Sequence, residues 1–392
     1  MARKGDSIIY YKKRGTMNIF SIKRVGDIFE IIDQTLLPSI EQYIKIDNYR
    51  EMVEAIKNMQ VRGAPAIGIA GMSACYLACK EFQHDHRFSY KMFQAISEIE
   101  ACRPTAVSLS LSTRQVKSDL KYEIVHDIRS DQNFTQSDLA NNFVAQISKL
   151  VDELMAYELD ACEKMAENGL KYIPENYTSF LTHCNTGSLA TYGRGTALGV
   201  LKKINENRKI ELFVDETRPL FQGSRLTAWE CNKSDICCTL ITDNMVARTI
   251  QSKNVQAIIV GADRIAANGD TANKIGTFNL AIIAKHFGIP FYVVAPETTI
   301  DENYRTGENI IIEERASDEV TRIKGINVAP ANSKAFNPAF DVTPAGLITA
   351  IITDKRVWNP NSIEETEERA DESNPEAGAS AGINVDDIIN NL

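Results

Sequence analysis

The sequence predicts an α/β protein: a C-terminal Rossmann-like, doubly wound parallel sheet behind a smaller, mostly helical N-terminal domain. Three observations predict it. From Ser179 onward five short apolar runs, Ser179–His183, Ile210–Val214, Cys238–Thr242, Ala257–Val260 and Phe291–Ala295, alternate with segments of helical spacing. That alternation is the pattern of strands joined by helical crossovers. The runs are rich in β-branched residues and largely continuous, as expected of parallel strands covered on both faces. Before Ser179 the clearest apolar spacing is helical.

Composition bounds the function. The 392 residues suffice for two domains with sizeable cores. An apolar content of 44% and a charged content of 24% are those of an ordinary globular protein. No apolar run is long enough to cross a bilayer, and MARKGDSIIYYKKRG is too charged for a secretory leader. Residues 361–392 hold nine acids and one base, Arg369, so nearly all of the net charge of −9 lies there. The body is close to neutral and offers no basic field for nucleic acid. The Glu-, Ser- and Asn-rich tail reads as a disordered extension. The eight cysteines form no CxxC pair and no metal-ligand spacing with the five histidines, so reduced thiols and no metal are expected.

Taken in order, Ser7–Tyr11 and Met17–Ile22 read as short strands, and Ile28–Leu36 as strand or helix. Met52, Val53, Ile56 and Met59 mark a helix over Asp47–Met59. It leads into Val61-Arg62-Gly63-Ala64-Pro65, a tight start to a second helix that runs to Phe82. Arg103 precedes Pro104 and is therefore extended or in a turn. Thr, Ser and Asp within NFTQSD are candidate caps for a long amphipathic helix reaching about Leu170. The domain boundary falls inside that helix: residues 1–147 form the N-terminal domain, 148–360 the sheet domain and 361–392 the acidic tail. In the sheet domain the helical segments are Ser188–Ile204, Gly223–Asn232, Asn244–Ser252 and Asn273–Phe287. A weaker strand is expected at Ile310–Ile312, and Thr343-Pro344 reads as a helix start. The segment GRGTALG (193–199) places its glycines within a helical run, after the first turn, so it is not a dinucleotide loop.

The strand ends carry the chemistry. Polar clusters follow all five runs: His183-Cys184-Asn185, Asp215-Glu216-Thr217-Arg218, Asp243-Asn244, Asp263-Arg264 and Pro296-Glu297. In a parallel sheet these ends share one rim, where ligands of open α/β sheets bind. Cys184 sits on the approach to a helix N-terminus, which favours developing negative charge. Asp263 ends a mostly apolar strand, and burial would raise its pKa and let it donate a proton. Lys274, at the start of the next helical pattern, is near enough in sequence to meet an anion. Arg62, on the loop feeding a helix start, suits a phosphate. For any one of these, a capping acid or a solvated cation is an equally good account.

At these residues the chain resembles a known family. VRGAPAIGIA, RPTAV, THCNTGSLATYGRGTALG, DETRPLFQGSRLTAWE and GADRIAANGDTANKIGT are similar, in order, to the motifs of the methylthioribose-1-phosphate isomerases, from about Leu36 to Val357. Relatives sharing that fold include non-enzymatic regulatory subunits of the translation-initiation guanine-nucleotide exchange factor, and ribose-1,5-bisphosphate isomerase. The resemblance implies a cofactor-free aldose–ketose isomerase of methionine salvage that acts on 5-methylthioribose 1-phosphate. It implies catalytic roles for Cys184 and Asp263, and substrate contacts from Arg62, Gly63, Ala64, Arg103, Gln222, Asn273 and Lys274. It further implies a homodimer in the cytoplasm, with the nucleus as a second compartment. The chain departs from the family in extra residues between Phe20 and Asp33, in Ser108 where Asn is usual, and in the acidic tail. The presence of both Cys184 and Asp263 argues against the regulatory-subunit alternative. An isomerase of another ribose 1-phosphate stays open.

Overall fold

A computed structural model describes residues 19–103, 106–130 and 135–362. The expected strand Ser7–Tyr11 and the acidic tail beyond residue 362 lie outside it. The first described strands form an antiparallel sheet: β1 (Ile22–Val25), β2 (Ile28–Ile32) and β3 (Tyr43–Ile46). β2 resolves the open reading of Ile28–Leu36 in favour of a strand. Four helices follow: α1 (Tyr49–Lys57), α2 (Ala64–Phe82), α3 (Phe88–Ala101) and α4 (Val107–Ser130). Asn48 caps α1 through its side chain, as a short polar residue before an apolar period should. α5 (Gln136–Tyr172) starts with a reciprocal capping box between Thr135 and Asp138.

From Ser179 the chain winds a seven-stranded sheet. Its strands are β4 (Ser179–Thr182), β5 (Glu211–Asp215), β6 (Cys237–Ile241), β7 (Ala257–Val260), β10 (Phe291–Val294), β15 (Ala350–Ile352) and β16 (Val357–Trp358). The spatial order is β16-β15-β10-β7-β4-β5-β6, and all pairings are parallel except β15 with β16. The helices α6 (Ala197–Asn207), α7 (Ala228–Lys233), α8 (Val246–Lys253) and α9 (Thr277–Phe287) make the crossovers. The chain leaves β4 toward β5 and β6, then returns to the other side at β7. The order therefore reverses between β4 and β7, which is the switch point at which such sheets hold ligands. Every residue of β4, β7 and β10 is buried. Apolar layers cover the two faces of this sheet, and a separate core joins β1–β3 to α1–α5.

Several expectations are corrected. Residues 188–196 are irregular, and α6 begins only at Ala197. Gly195 has φ +104° and lies against the backbone of Gly187, a close approach that a helix does not provide. Gly193 and Gly195 thus precede the helix rather than sit inside it. Asn273-Lys274 does not start a helix. It belongs to β9 (Thr271–Lys274) in a second sheet with β8 (Arg264–Ala266), β11 (Ile300–Asp301) and β14 (Phe340–Thr343), ordered β11-β8-β9-β14. Thr343 ends β14 and Pro344 caps only a one-turn 3₁₀ segment, Ala345–Leu347, because the β-branched run that follows extends the main sheet as β15. Ile310–Ile312 forms no strand; it is unpaired chain beyond a short turn at Gly307–Asn309. The small elements α10 (Asp318–Thr321), β12 (Arg322–Ile323) and β13 (Ile326–Asn327) lie in the segment that follows.

A one-turn π-helical segment, Gly223–Thr227, leads into α7. A Cβ added at Gly223 would lie 1.6 Å from the Asp215 carbonyl oxygen. Gly223→Ala is therefore expected to displace the end of β5 and to cost about 1–3 kcal/mol. Urea unfolding measures it, and an unchanged midpoint would contradict this packing.

Candidate active site

A cavity opens at the switch point. Together with the solvent space at its mouth it spans about 890 Å³. Cys184, two residues beyond β4, and Asp263, three beyond β7, both face it. The two strands are pinned side by side, with the Thr182 hydroxyl donating to the Ile259 carbonyl at 2.7 Å. Arg62, Gly63 and Ala64 reach the cavity from the start of α2; Arg103, Gln222 and Lys274 line it from three further segments. Eight of the nine sequence-selected residues thus meet in one place. Asn273 does not line the cavity. Neighbours on a strand face opposite ways, so while Lys274 points in, Asn273 donates to the Thr277 hydroxyl at 3.0 Å.

Two strand ends expected on the rim face elsewhere. The Asp243 carboxylate accepts from the backbone N–H groups of Thr217 and Arg218, each at 2.8 Å. Glu297 pairs with Arg356 at 3.1 Å. Ser108 packs toward Gly68 of α2 rather than into the cavity. Arg264, placed on the rim with Asp263 by the sequence, also lines the cavity; the sequence reading missed Met59, Arg315, Phe340 and the run Ile310–Ile312 as lining groups. Arg264 was legible as the neighbour of Asp263. Arg315 was not, because its segment has no period.

The loop holding Cys184 is shaped by the backbone. Cys184 has φ +62°, and Thr217 and Phe221 opposite have φ +64° and +58°. Positive φ in a β-branched or bulky side chain is uncommon and costs about 1–3 kcal/mol. Such outliers collect where the surroundings hold a functional geometry. Here the Cys184 N–H donates to the Thr217 hydroxyl at 2.9 Å, and the Thr227 hydroxyl donates to the Cys184 carbonyl. The late start of α6 removes the helix N-terminus expected behind the thiol. The helix end at the cavity is that of α2, whose N-cap Gly63 has φ +92° and sits against Ala190.

Arg62 is braced from below. Its guanidinium donates to the Asn185 side-chain oxygen at 2.7 Å and the Asn185 carbonyl at 3.0 Å. Asn185 in turn donates to the fully buried Glu230 at 2.9 Å. Glu230 also accepts from Ser188 N, Leu189 N and the Lys202 ammonium. Burial works against its charge, but Lys202 and these donors more than offset that and leave the carboxyl below its ordinary range.

Three titratable groups share the apolar interior. Burial pushes the Cys184 thiol up, and Arg62 and Lys274 only partly oppose it. Burial likewise raises Asp263 against the pull of Lys274, Arg62 and Arg103. Burial depresses Lys274 despite Cys184 and Asp263 beside it. Lys274 is held by the Ala339 carbonyl at 2.8 Å and lies 4.5 Å from the Phe340 ring centre. Arg315 is paired with Glu319 at 2.7 Å, and Arg264 with Asp301 at 3.7 Å. Arg62, Arg103 and Lys274 have no carboxylate partner in an ion pair among the described residues. Glu313 and Asp263 are the acids that act on Arg103, and Asp263 also faces Arg62 and Lys274, so the three cations keep capacity for an anion. The rest of the lining is largely apolar: Met59, Ile67, Val107, Ala272 and Ile310–Ile312.

One group among the described residues has metal-like spacing: His183, Asp215 and Asp243, with ligand atoms within 4.8 Å of one another. His183 Nδ1 is engaged by Asp215, Nε2 by the Ile275 carbonyl and both oxygens of Asp243 by backbone N–H groups, which leaves Asp215 Oδ1 as the one unpartnered ligand atom of the three described residues. The donor set does not fit a cation.

Residues 60–360 match the model of the initiation factor 2 subunit family. The chain is 43% identical over 351 residues to the methylthioribose-1-phosphate isomerase of Natranaerobius thermophilus, covering 89% of this chain and 98% of that one. The solved 5-methylthioribose 1-phosphate isomerase of Pyrococcus horikoshii OT3 superposes with a TM-score of 0.77 at 36% identity, over 90% of this chain and 96% of that one. A structure from A. fulgidus described as translation initiation factor eIF-2B, subunit delta, gives a TM-score of 0.73 at 36% identity, over 88% and 96% of the two chains.

Glu230→Ala would leave Lys202 buried without its counter-charge. A loss of about 3–5 kcal/mol is expected, read from denaturant unfolding. A variant as stable as the wild type would show that the brace under Arg62 is dispensable.

Proposed function

The chain belongs to the initiation factor 2 subunit family, and from that premise we propose that it is an aldose–ketose isomerase of methionine salvage. Its reaction converts 5-methylthioribose 1-phosphate to 5-methylthioribulose 1-phosphate. One observation carries the assignment: a thiol and a protonatable carboxyl, at the ends of the two strands flanking the switch point, face one cavity with three cations, Arg62, Arg103 and Lys274. The same family and the same level of identity include a protein described as an initiation-factor subunit, so membership alone does not select the enzyme. The paired Cys184 and Asp263 favour it.

Arg62, Arg103 and Lys274 fit one phosphate dianion, and Arg62 can grip it with two parallel donors. Arg315 and Arg264, already committed to Glu319 and Asp301, leave no second set of free cations for a second phosphate. The apolar lining instead suits a methylthio group. These features favour the methylthio sugar over a bisphosphate.

The phosphate ester on the anomeric carbon prevents the ring from opening as a free sugar does. Asp263, whose carboxyl burial shifts toward the acid form against Lys274, Arg62 and Arg103, donates to the ring oxygen as the bond from C1 to that oxygen breaks. Hydrogen moves from C2 to C1, so C2 is oxidised and C1 reduced by the same two electrons. The 2-hydroxyl becomes the carbonyl, and its released proton balances the one that Asp263 gave. Removal of the C2 hydrogen as a proton needs a base. Burial disfavours a Cys184 thiolate, which favours transfer as hydride over proton removal by Cys184. Cys184 then packs against the transition state rather than abstracting a proton. The N-terminal part to residue 147 supplies the arginines, and residues 148–360 supply the catalytic pair. We place the protein in the cytoplasm, which eight unpaired thiols support. We assign it a homodimer, consistent with exposed Leu240 and Met245 at the free edge of the main sheet.

Purified protein is expected to form ketose from 5-methylthioribose 1-phosphate and little from ribose 1,5-bisphosphate. Asp263→Asn is expected to lower kcat by about 10²-fold or more and Cys184→Ser to lower kcat as well, both with the fold intact, while Lys274→Ala mainly raises KM. Wild-type turnover in either catalytic variant would overturn these roles. Substrate carrying deuterium at C2 is expected to keep the label at C1 of the product. Complete exchange with solvent would instead show a proton route.

A further inference from the structure

Directly behind Cys184 lies a buried pair that the reaction as described does not use. His183 and Asp215 are each 1% exposed. His183 Nε2 lies 2.9 Å from the Ile275 carbonyl oxygen and Nδ1 lies 3.1 Å from Asp215 Oδ2. A carbonyl oxygen only accepts, so Nε2 carries a hydrogen. The second contact then needs one more proton, on Nδ1 or on the Asp215 carboxyl. With neither, the Nδ1 lone pair would face a carboxylate inside the protein. Turning the ring to relieve this would break the bond to Ile275.

The pair joins three segments of the site. His183 precedes Cys184. Asp215 ends β5, where its carbonyl accepts from the Thr217 hydroxyl that also receives the Cys184 N–H. Ile275 follows Lys274, and the ring packs on Gly276, whose φ is +104°. We propose that His183 and Asp215 act as a positioning pair for Cys184 and Lys274, and that the one proton they share holds the Lys274–Gly276 turn against the cavity. Loss of that proton releases the turn and weakens the grip on phosphate.

The surroundings favour retention of the proton. From β5 come Asp215 and Glu216, from the end of β6 Asp243, from β14 Asp341 and from β9 Lys274; Cys184 is next in the chain. Burial lowers His183, but Asp215 and then Asp243 more than offset it; burial, aided by Asp243 and opposed by His183, raises Asp215 to about 6. Asp341 is itself occupied by the N–H groups of Gly276 and Phe278. The protonated pair is neutral, whichever atom holds the hydrogen. Asp215→Asn reproduces that state permanently: its amide can donate to Nδ1, it has no proton to lose, and it leaves the local charge unchanged.

The test measures KM for 5-methylthioribose 1-phosphate against pH, and in this arm it rests on the isomerase reading. Wild-type KM is expected to rise at alkaline pH. Asp215→Asn should stay close to the wild type near neutrality and show no such rise. Asp215→Leu, with no donor, should raise KM about tenfold or more at every pH, the scale of an unsatisfied buried group. A wild-type KM that does not rise, a rise retained in Asp215→Asn, or an Asp215→Leu variant equal to Asp215→Asn would each overturn the proposal. If Lys274 or Cys184 causes the rise, Asp215→Asn keeps it. An enzyme inactive on this substrate would instead refute the isomerase reading. A second measurement needs neither turnover nor a variant: ¹⁵N histidine spectra of the wild type should keep Nε2 protonated throughout, with Nδ1 changing only on the alkaline side. An Nδ1-protonated neutral ring would contradict the pair.

Discussion

The parallel pairing of β4 with β7 is the constraint on which this structure depends. Both strands are fully buried, and both run straight into functional residues. Because the chain reverses its winding direction between them, no crossover helix closes the crevice at their carboxyl ends. A thiol from one end and a carboxyl from the other meet there. The first half of the chain then supplies what the sheet lacks. Gly63, lodged against Ala190 with a backbone that other residues adopt poorly, brings Arg62 and the start of α2 over the opening. The second sheet supplies Lys274 from the opposite wall.

Burial gives this arrangement its chemical character. In water a carboxyl of this kind is ionised and a lysine charged. Here desolvation drives Asp263 toward its acid form and weakens the charge on Lys274. A phosphate dianion entering between Arg62, Arg103 and Lys274 would favour the charged lysine again. It would also stabilise the proton on Asp263. Binding and protonation therefore favour the same state, the one needed for ring opening. The positive φ angles at Cys184, Thr217 and Phe221 concentrate backbone strain beside the same residues, with Glu230 and its four donors holding the loop beneath Arg62.

Much of this was legible in the chain because the main strands are continuous apolar runs with polar ends. Ala257–Val260 followed by Asp263 is readable without any relative, and so is the tight start at Gly63-Ala64-Pro65. The second sheet was not. Thr271-Ala272-Asn273-Lys274 is short and polar, and pairing with β14 some seventy residues later leaves no local period. Its next apolar stretch made it look like a helix start. Residues 188–196 are small and apolar enough to pass for a helix, yet close contact between Gly187 and Gly195 requires an irregular loop. Asp243 and Glu297 showed the limit of rim reasoning: a strand end brings a side chain to the right edge but does not say which way it turns.

The most direct test of this account is a crystal structure of the Cys184→Ala variant with 5-methylthioribose 1-phosphate bound. The account predicts the phosphate between Arg62, Arg103 and Lys274, the ring oxygen within hydrogen-bonding reach of Asp263, and the methylthio group against the apolar wall. A phosphate bound away from these cations, or a sugar ring that Asp263 does not reach, would contradict it.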